Sequence, residues 1–199
     1  MRFSFFREYG AMNSTPVFDA FERSLLDAGH TVLGDDMHSD VAVIWSVLWN
    51  GRMVGNKPIW EYFQKTGRNV IVLEVGGIKR GTTWKVGLNG INRDAYFGPN
   101  NNNSDRHRLL GLSLKPWRTD GEYILICGQH DKSLQWQGMP RMSNWVMNTI
   151  EEIQTYTDMP IVFRPHPRCP LPAIEHQYKN VYRDNPQKLS NTYDDYNLS

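Results

Sequence analysis

The sequence predicts an α/β chain built on doubly wound parallel sheets. Three observations point there. Short apolar runs alternate with stretches of helical spacing. Two runs, VAVIW and NVIVLEV, are almost continuously apolar, as in parallel strands covered on both faces. The first half reads strand, helix, strand, strand, helix, strand.

Residues 2 to 8, RFSFFRE, read as the first strand. The loop YGAMNST follows. Ser14 or Thr15 can cap a helix, and Pro16 sits near its first turn, where a missing N–H costs nothing. Val17, Phe18, Phe21, Leu25 and Leu26 give that helix an apolar stripe, and Gly29 a stop. Residues 31 to 33 and 41 to 45 read as the next two strands. Residues 58 to 65 read as a second helix, stopped by Gly67, and 69 to 75 as the fourth strand.

Residues 76 to 120 differ, being rich in Gly, Asn and basic side chains. From Lys79 to Arg118 eight Lys or Arg face two acids, Asp94 and Asp105. A strand over 82 to 88 and a short helix over 105 to 110 are predicted within this stretch. A second α/β unit then opens with EYILIC, residues 122 to 127, ending in Gly128, Gln129, His130 and Asp131. A helix over 143 to 156 carries Val146, Ile150 and Ile153 on one face. A strand over 160 to 164, a helix over 172 to 178 and a short strand at 181 and 182 complete it. The domain boundary falls at residues 118 and 119. The second unit, 119 to 199, reads as incomplete, with two or three strands and two helices.

The 199 residues are 40% hydrophobic, enough for a real core. A net charge of +1 argues against a strongly basic nucleic-acid binder but leaves room for a local basic patch. Cys127 and Cys169 form neither a disulfide framework nor a zinc spacing, so free thiols are expected. MRFSFFREYG puts charge inside its apolar run, unlike a signal peptide. No stretch approaches about 20 uncharged apolar residues, so no membrane span is expected. The expectation is a soluble, cytoplasmic chain without a membrane partner.

Ligands of parallel α/β sheets collect at the carboxyl ends of strands. Four such ends are chemically loaded: Tyr9, Gly10, Asn13 and Ser14; Glu74, Gly76 and Gly77; Gly128, Gln129, His130 and Asp131; and Arg164, His166 and Arg168. The last, within IVFRPHPRCP, is the sharpest. Pro165 and Pro167 fix φ and remove two donors, so the strand stops there. Guanidiniums suit phosphate oxygens, and a histidine between them can donate to a diphosphate. The competing reading is a rigid turn with solvated arginines.

A strand ending in Arg-Pro-His-Pro, one helix after a strand ending in Gly-Gln, resembles GT-B type glycosyltransferases. The likeness is to those with a His-Pro element in the nucleotide-binding domain, such as capsule and glycerophosphate-polymer transferases. SDVAVIWSVLWNGRM, VIVLEVGGIKRGTTWKVGLNGIN and ILICGQHDKSLQWQGM resemble glycosyltransferases encoded by bacteriophages, some linked to modification of DNA bases. The resemblance implies two Rossmann-like domains facing each other across a cleft, the acceptor on the first and the nucleotide sugar on the second. It implies that Arg164, His166 and Arg168 hold donor phosphates or nucleotide, with Gln129 and the Gly128 backbone on the phosphate side. It implies no metal and no resident cofactor, only a nucleotide-sugar co-substrate, with a UDP-sugar the favoured donor. A complete family member would continue well past residue 199.

Transfer to a hydroxyl with inversion needs a base, for which Glu74, Asp36 and His38 are the candidates. Asp36 can equally be a turn residue, and Glu74 can equally pair with Lys79 or Arg80. Lys79, Arg80, Lys85, Arg93, Arg106 and Arg108 interleave with Trp84, Tyr96 and Trp117, a mixture that suits a polyanion with stackable bases such as double-stranded DNA. A solvated basic loop reads equally well. GGIKRG looks like a phosphate-cradling loop without Walker or GxGxxG spacing. Trp45, Trp49, Trp60 and Trp145 are assigned to core or interface. His107, His130 and His176 are too scattered to be ligands. The leading expectation is a glycosyltransferase acting on a hydroxyl, a hydroxymethylated pyrimidine in phage DNA being one acceptor. A polymer transferase and a non-catalytic nucleotide- or DNA-binding module are its competitors.

Overall fold

The computed structural model describes residues 1–78, 81–99, 105–117, 119–167 and 169–184. The chain divides into two units, Met1–Asn101 with Lys132–Gln137, and Asn102–Asp131 with Gly138–Ser199.

The first unit carries five strands: β1 (Arg2–Phe5), β2 (Thr31–Gly34), β3 (Val41–Trp45), β4 (Asn69–Val75) and β5 (Trp84–Leu88), in the order β2-β1-β3-β4-β5. The first four are parallel, as expected. The edge strand β5 is antiparallel to β4. A parallel return needs a crossover of a dozen or more residues, and the short stretch from 76 to 83 permits only a hairpin. A wholly parallel first sheet is thus corrected at this edge, and Gly76, Gly77, Ile78 and Gly81 belong to the hairpin connection.

Helix α1 (Thr15–Asp27) joins β1 to β2, and α2 (Asn56–Lys65) joins β3 to β4. These crossovers leave the sheet centre in opposite directions, so right-handed connections put the helices on opposite faces. Strand β3 shows the result at period two. Val41, Val43 and Trp45 pack with Val17, Phe18 and Leu25 of α1. Ala42 and Ile44 pack with Ile59, Trp60 and Phe63 of α2. All five β3 residues are buried, which explains their unbroken apolar run. Burying Phe18 or Phe63 contributes roughly 1.5–3 kcal/mol each. Trp45 and Trp60 lie in these cores, as expected of them.

Both helices end where their glycines predict. Gly29 at φ 76° donates to the Leu26 carbonyl and His30 to that of Leu25. Gly67 at φ 67° repeats the arrangement with Gln64, and Arg68 with Phe63. A left-handed residue thus satisfies two orphan carbonyls at each helix end.

No helix separates β2 from β3. Residues 35 to 40 double back along β1: the Asp36 N–H donates to Ser4 Oγ at 2.7 Å, and the Asp40 N–H to the Arg2 carbonyl at 3.0 Å. Arg68 donates to the carbonyls of Met37 and Ser39 at 2.7 and 2.8 Å while its guanidinium lies over the Tyr62 and Phe63 rings. The Lys132–Gln137 segment is tied to the same unit by a Leu134 N–H to Val47 O bond of 3.1 Å, and Leu134 packs on the α2-side core.

The second unit has a parallel sheet of β6 (Ile124–Cys127), β7 (Ile161–Arg164) and β8 (Val181–Arg183), in that order. It also contains the short α3 (Asp105–Leu109) and the longer α4 (Met142–Gln154), which joins β6 to β7 and buries Met142, Val146 and Ile150. The helix expected over 172 to 178 is only a 3-10 turn, Glu175–Gln177. Arg183 explains the difference: its guanidinium binds the Leu171 and Pro172 carbonyls, the acceptors a helix there would need. Among the described residues, no helix is long and apolar enough to cross a membrane.

Candidate functional site

In the second unit Cys127, at the end of β6, lies opposite Arg164, at the end of β7. The GQHD and RPHP segments therefore leave the sheet side by side. The Gly128 N–H extends the ladder to the Arg164 carbonyl at 2.8 Å. A Cβ on Gly128 would stand 3.3 Å from both the His166 nitrogen and the Pro165 Cα, so glycine permits this approach.

The approach brings two imidazoles together. The rings of His130 and His166 lie 5.4 Å apart at 69°, edge to face. His130 is 3% exposed, whereas His166 is partly open to solvent. The His130 N–H donates to Gln129 Oε1 at 3.0 Å. A tight turn follows, in which the Cys169 N–H donates to the His166 carbonyl at 2.9 Å and Cys169 Sγ approaches Asp131 Oδ1 at 3.4 Å.

Arg164 is 6% exposed, so it is not a solvated arginine. Its Nε donates to Asp184 Oδ2 at 2.8 Å, and its Nη2 to the same oxygen. Asp184 directly follows β8, and its own N–H reaches the Phe163 carbonyl at 2.9 Å. Arg168 lies outside the described residues. Desolvation pushes the Cys127 thiol above its ordinary range; Arg164 opposes this and Asp184 adds to it. A raised thiol is a poor nucleophile at neutral pH, so Cys127 has no evident chemistry here.

In the first unit the strand order reverses direction between β1 and β3, the position where open α/β sheets bind ligands. Asn56 ties the two loops there. Its Nδ2 donates to the Trp45 carbonyl at 2.6 Å and reaches the Tyr9 carbonyl at 3.4 Å. Ser46, beside it, is buried at a left-handed φ of 63°. Gly10 sits so tightly against Ser14 that a Cβ would meet Ser14 Oγ at 2.4 Å. Glu74 lies near the carboxyl end of β4, partly buried, in register with Lys85 of β5. Its carboxylate accepts the adjacent Val75 N–H at 2.8 Å.

The other two base candidates lie elsewhere. Asp36 sits beside Ser4, on the doubled-back segment. His38, exposed, gives its carbonyl to Arg2 Nη2 at 2.9 Å, near the amino end of β1. His38 thus lies toward the amino edge, whereas Asp36 stands two residues past the carboxyl end of β2. The absence of a helix between β2 and β3 sends this segment back toward the amino edge.

The basic residues divide between the units. Lys79 and Arg80 lie outside the described residues. Lys85 donates to Asn92 Oδ1 at 2.7 Å, and Arg93 forms an ion pair with Asp94 at 2.8 Å. That pairing holds the Asp94 carboxyl below its ordinary value. Arg106 and Arg108 lie on α3 in the second unit, where Arg108 pairs with Asp105. Trp84 meets the Trp45 ring at 5.9 Å, whereas Tyr96 and Trp117 are exposed. The two acids of the basic stretch thus each neutralise a neighbouring arginine.

No protein-family model matches this chain, and neither does any curated protein or solved structure. Among the described residues, no group of three or more His, Cys, Asp or Glu side chains is placed to hold a metal ion. Three residues of interest escaped the sequence reading: His130 as a neighbour of His166, Asp184 as the partner of Arg164, and Asn56 as the tie between loops. Asp184 carried a usable signal, because it stands at the carboxyl end of a short strand. The other two are visible only in the folded chain.

Proposed function

We propose that the chain is a glycosyltransferase of the GT-B kind that moves a sugar from a UDP-sugar to a hydroxyl, a hydroxymethylated pyrimidine of DNA being one acceptor to test. One observation carries the reading: the partly open His166 stands at the carboxyl end of β7, beside Gly128 and Gln129 at the end of β6. An imidazole and a guanidinium at strand ends are donors suited to a leaving diphosphate, while the Gly128 and His130 N–H groups are already engaged by Arg164 and Gln129.

In this reading the donor's C1–O bond breaks and its electron pair leaves with the diphosphate. His166 donates to a phosphate oxygen, and Arg164 supplies charge to the same group while keeping Asp184 as its structural partner. The acceptor oxygen attacks C1 as its proton passes to a general base. No step is assigned to Asp36 or His38.

Calorimetry with UDP, CMP and UDP-sugars tests the donor. His166→Ala should weaken UDP by roughly tenfold or more, as loss of a hydrogen bond to a charged group does. Arg164→Ala should do so as well, at a cost in stability. Unaltered UDP affinity in both variants would falsify the donor site. Incubation with hydroxymethylated DNA and a UDP-sugar, read by nucleoside mass spectrometry, tests the acceptor. Labelled glycan in place of labelled nucleoside would make it a polymer transferase. Binding without either product would make it a non-catalytic module.

A further inference from the structure

We infer that His130 is a positioning residue that holds the His166 imidazole in its working orientation. The inference rests on the donor-site reading above and deepens it. His130 is buried at 3% exposure, and its ring meets that of His166 edge to face at 5.4 Å. The contact joins a fixed ring to a partly open one. Burial confines the His130 ring, and three features fix its main chain. Its backbone follows the Gly128 ladder bond to Arg164, its N–H is engaged by Gln129 Oε1, and the next residue, Asp131, reaches Cys169 across the turn.

His166 is held differently. Pro165 and Pro167 stiffen its backbone but leave χ1 and χ2 to be set by neighbours. Its carbonyl accepts from Cys169, which fixes the main chain and not the ring. The buried His130 ring, 5.4 Å away at 69°, therefore limits the rotamers open to His166. An imidazole that must meet a phosphate oxygen gains from being fixed before the ligand arrives. His130 is placed to act through His166, whose ring is the more open of the two.

The test uses the full chain, with inorganic pyrophosphate as probe and four forms: wild type, His166→Ala, His130→Ala and His130→Phe. Phenylalanine keeps an aromatic wall but no ring nitrogen. The expected result is that His130→Ala weakens pyrophosphate by roughly three- to tenfold, the worth of an aromatic pair, and that His130→Phe restores most of it. In NMR spectra the His166 ring-proton shifts should move toward averaged values in His130→Ala and return in His130→Phe. A histidine that only filled the core would leave the His166 ring-proton shifts of His130→Ala unaveraged. Pyrophosphate affinity or His166 ring shifts unchanged in His130→Ala overturn the inference. If wild-type binding is lost in His166→Ala but kept in His130→Ala, this inference falls alone. A wild-type chain that binds no pyrophosphate removes the donor site and this inference together. Should His130→Ala not fold, the Phe variant decides: wild-type shifts and affinity support the inference, and averaged shifts or lost affinity overturn it.

Discussion

Arg164 turns two donors, Nε and Nη2, onto one carboxylate oxygen of Asp184. The guanidinium side chain is 7% exposed and the carboxylate 33%. Removing the acid leaves a buried cation short of its partner, which costs more than the pair is worth. Asp184→Ala should lower stability by about 2–3 kcal/mol, less than a fully buried pair because Asp184 touches solvent. Urea unfolding measures it. Adding Arg164→Met in that background should recover much of the loss, since no charge then remains to be solvated. Equal stability of the single and double variants would contradict this.

Asn56 predicts a second loss. Its amide gives the buried Trp45 carbonyl a donor at the turn from β3. Asn56→Ala strips that donor and should cost about 1–3 kcal/mol. Asn56→Asp should cost at least as much, because it puts an acceptor against an acceptor at a site with no exposure. Thermal melts of both variants give the order, and a stable Asp variant would refute it.

Gly128→Ala tests the packing of the two strand ends. The new methyl would stand 3.3 Å from the His166 nitrogen and the Pro165 Cα. Backbone yields poorly, so the RPHP segment should shift by a few tenths of an ångström. The expected outcome is a stability loss of about 1 kcal/mol and a weaker pyrophosphate complex. Unchanged affinity would show that this approach does not shape the site.

The fourth expectation concerns acid. The Arg183 hydrogen bonds hold the Glu175 carboxyl below its ordinary value of 4.5; burial opposes them only partly. A depressed carboxyl contributes stability that is fully present above its unfolded value and is lost as pH falls through the folded one. The stability of the chain should therefore drop below about pH 4.5, and Glu175→Gln should flatten that part of the profile. Chemical denaturation from pH 6 to pH 3 gives the comparison. Parallel profiles for the two chains would rule it out.

Much of the fold was legible because periodicity and punctuation are local. Helix α1 ends at Gly29 and α2 at Gly67, as read, since only the left-handed conformation there satisfies the last carbonyls. The strand at β5 was read but not its antiparallel direction, although the short stretch from 76 to 83 implied it. The short 3-10 turn at Glu175–Gln177 was misread because Arg183, eight residues on, claims the carbonyls that local propensity assigned to a helix.

The sequence by itself determined the α/β class, the run of β3 between two cores, and the stop imposed on β7 by Pro165. Each follows from side-chain spacing or from backbone groups within a few residues. Only the tertiary structure decided that His38 lies at the amino edge, that Arg164 belongs to Asp184, and that His130 stands against His166. Those relations join residues about twenty or more positions apart. Their distances depend on strand register and crossover path, which no local pattern encodes.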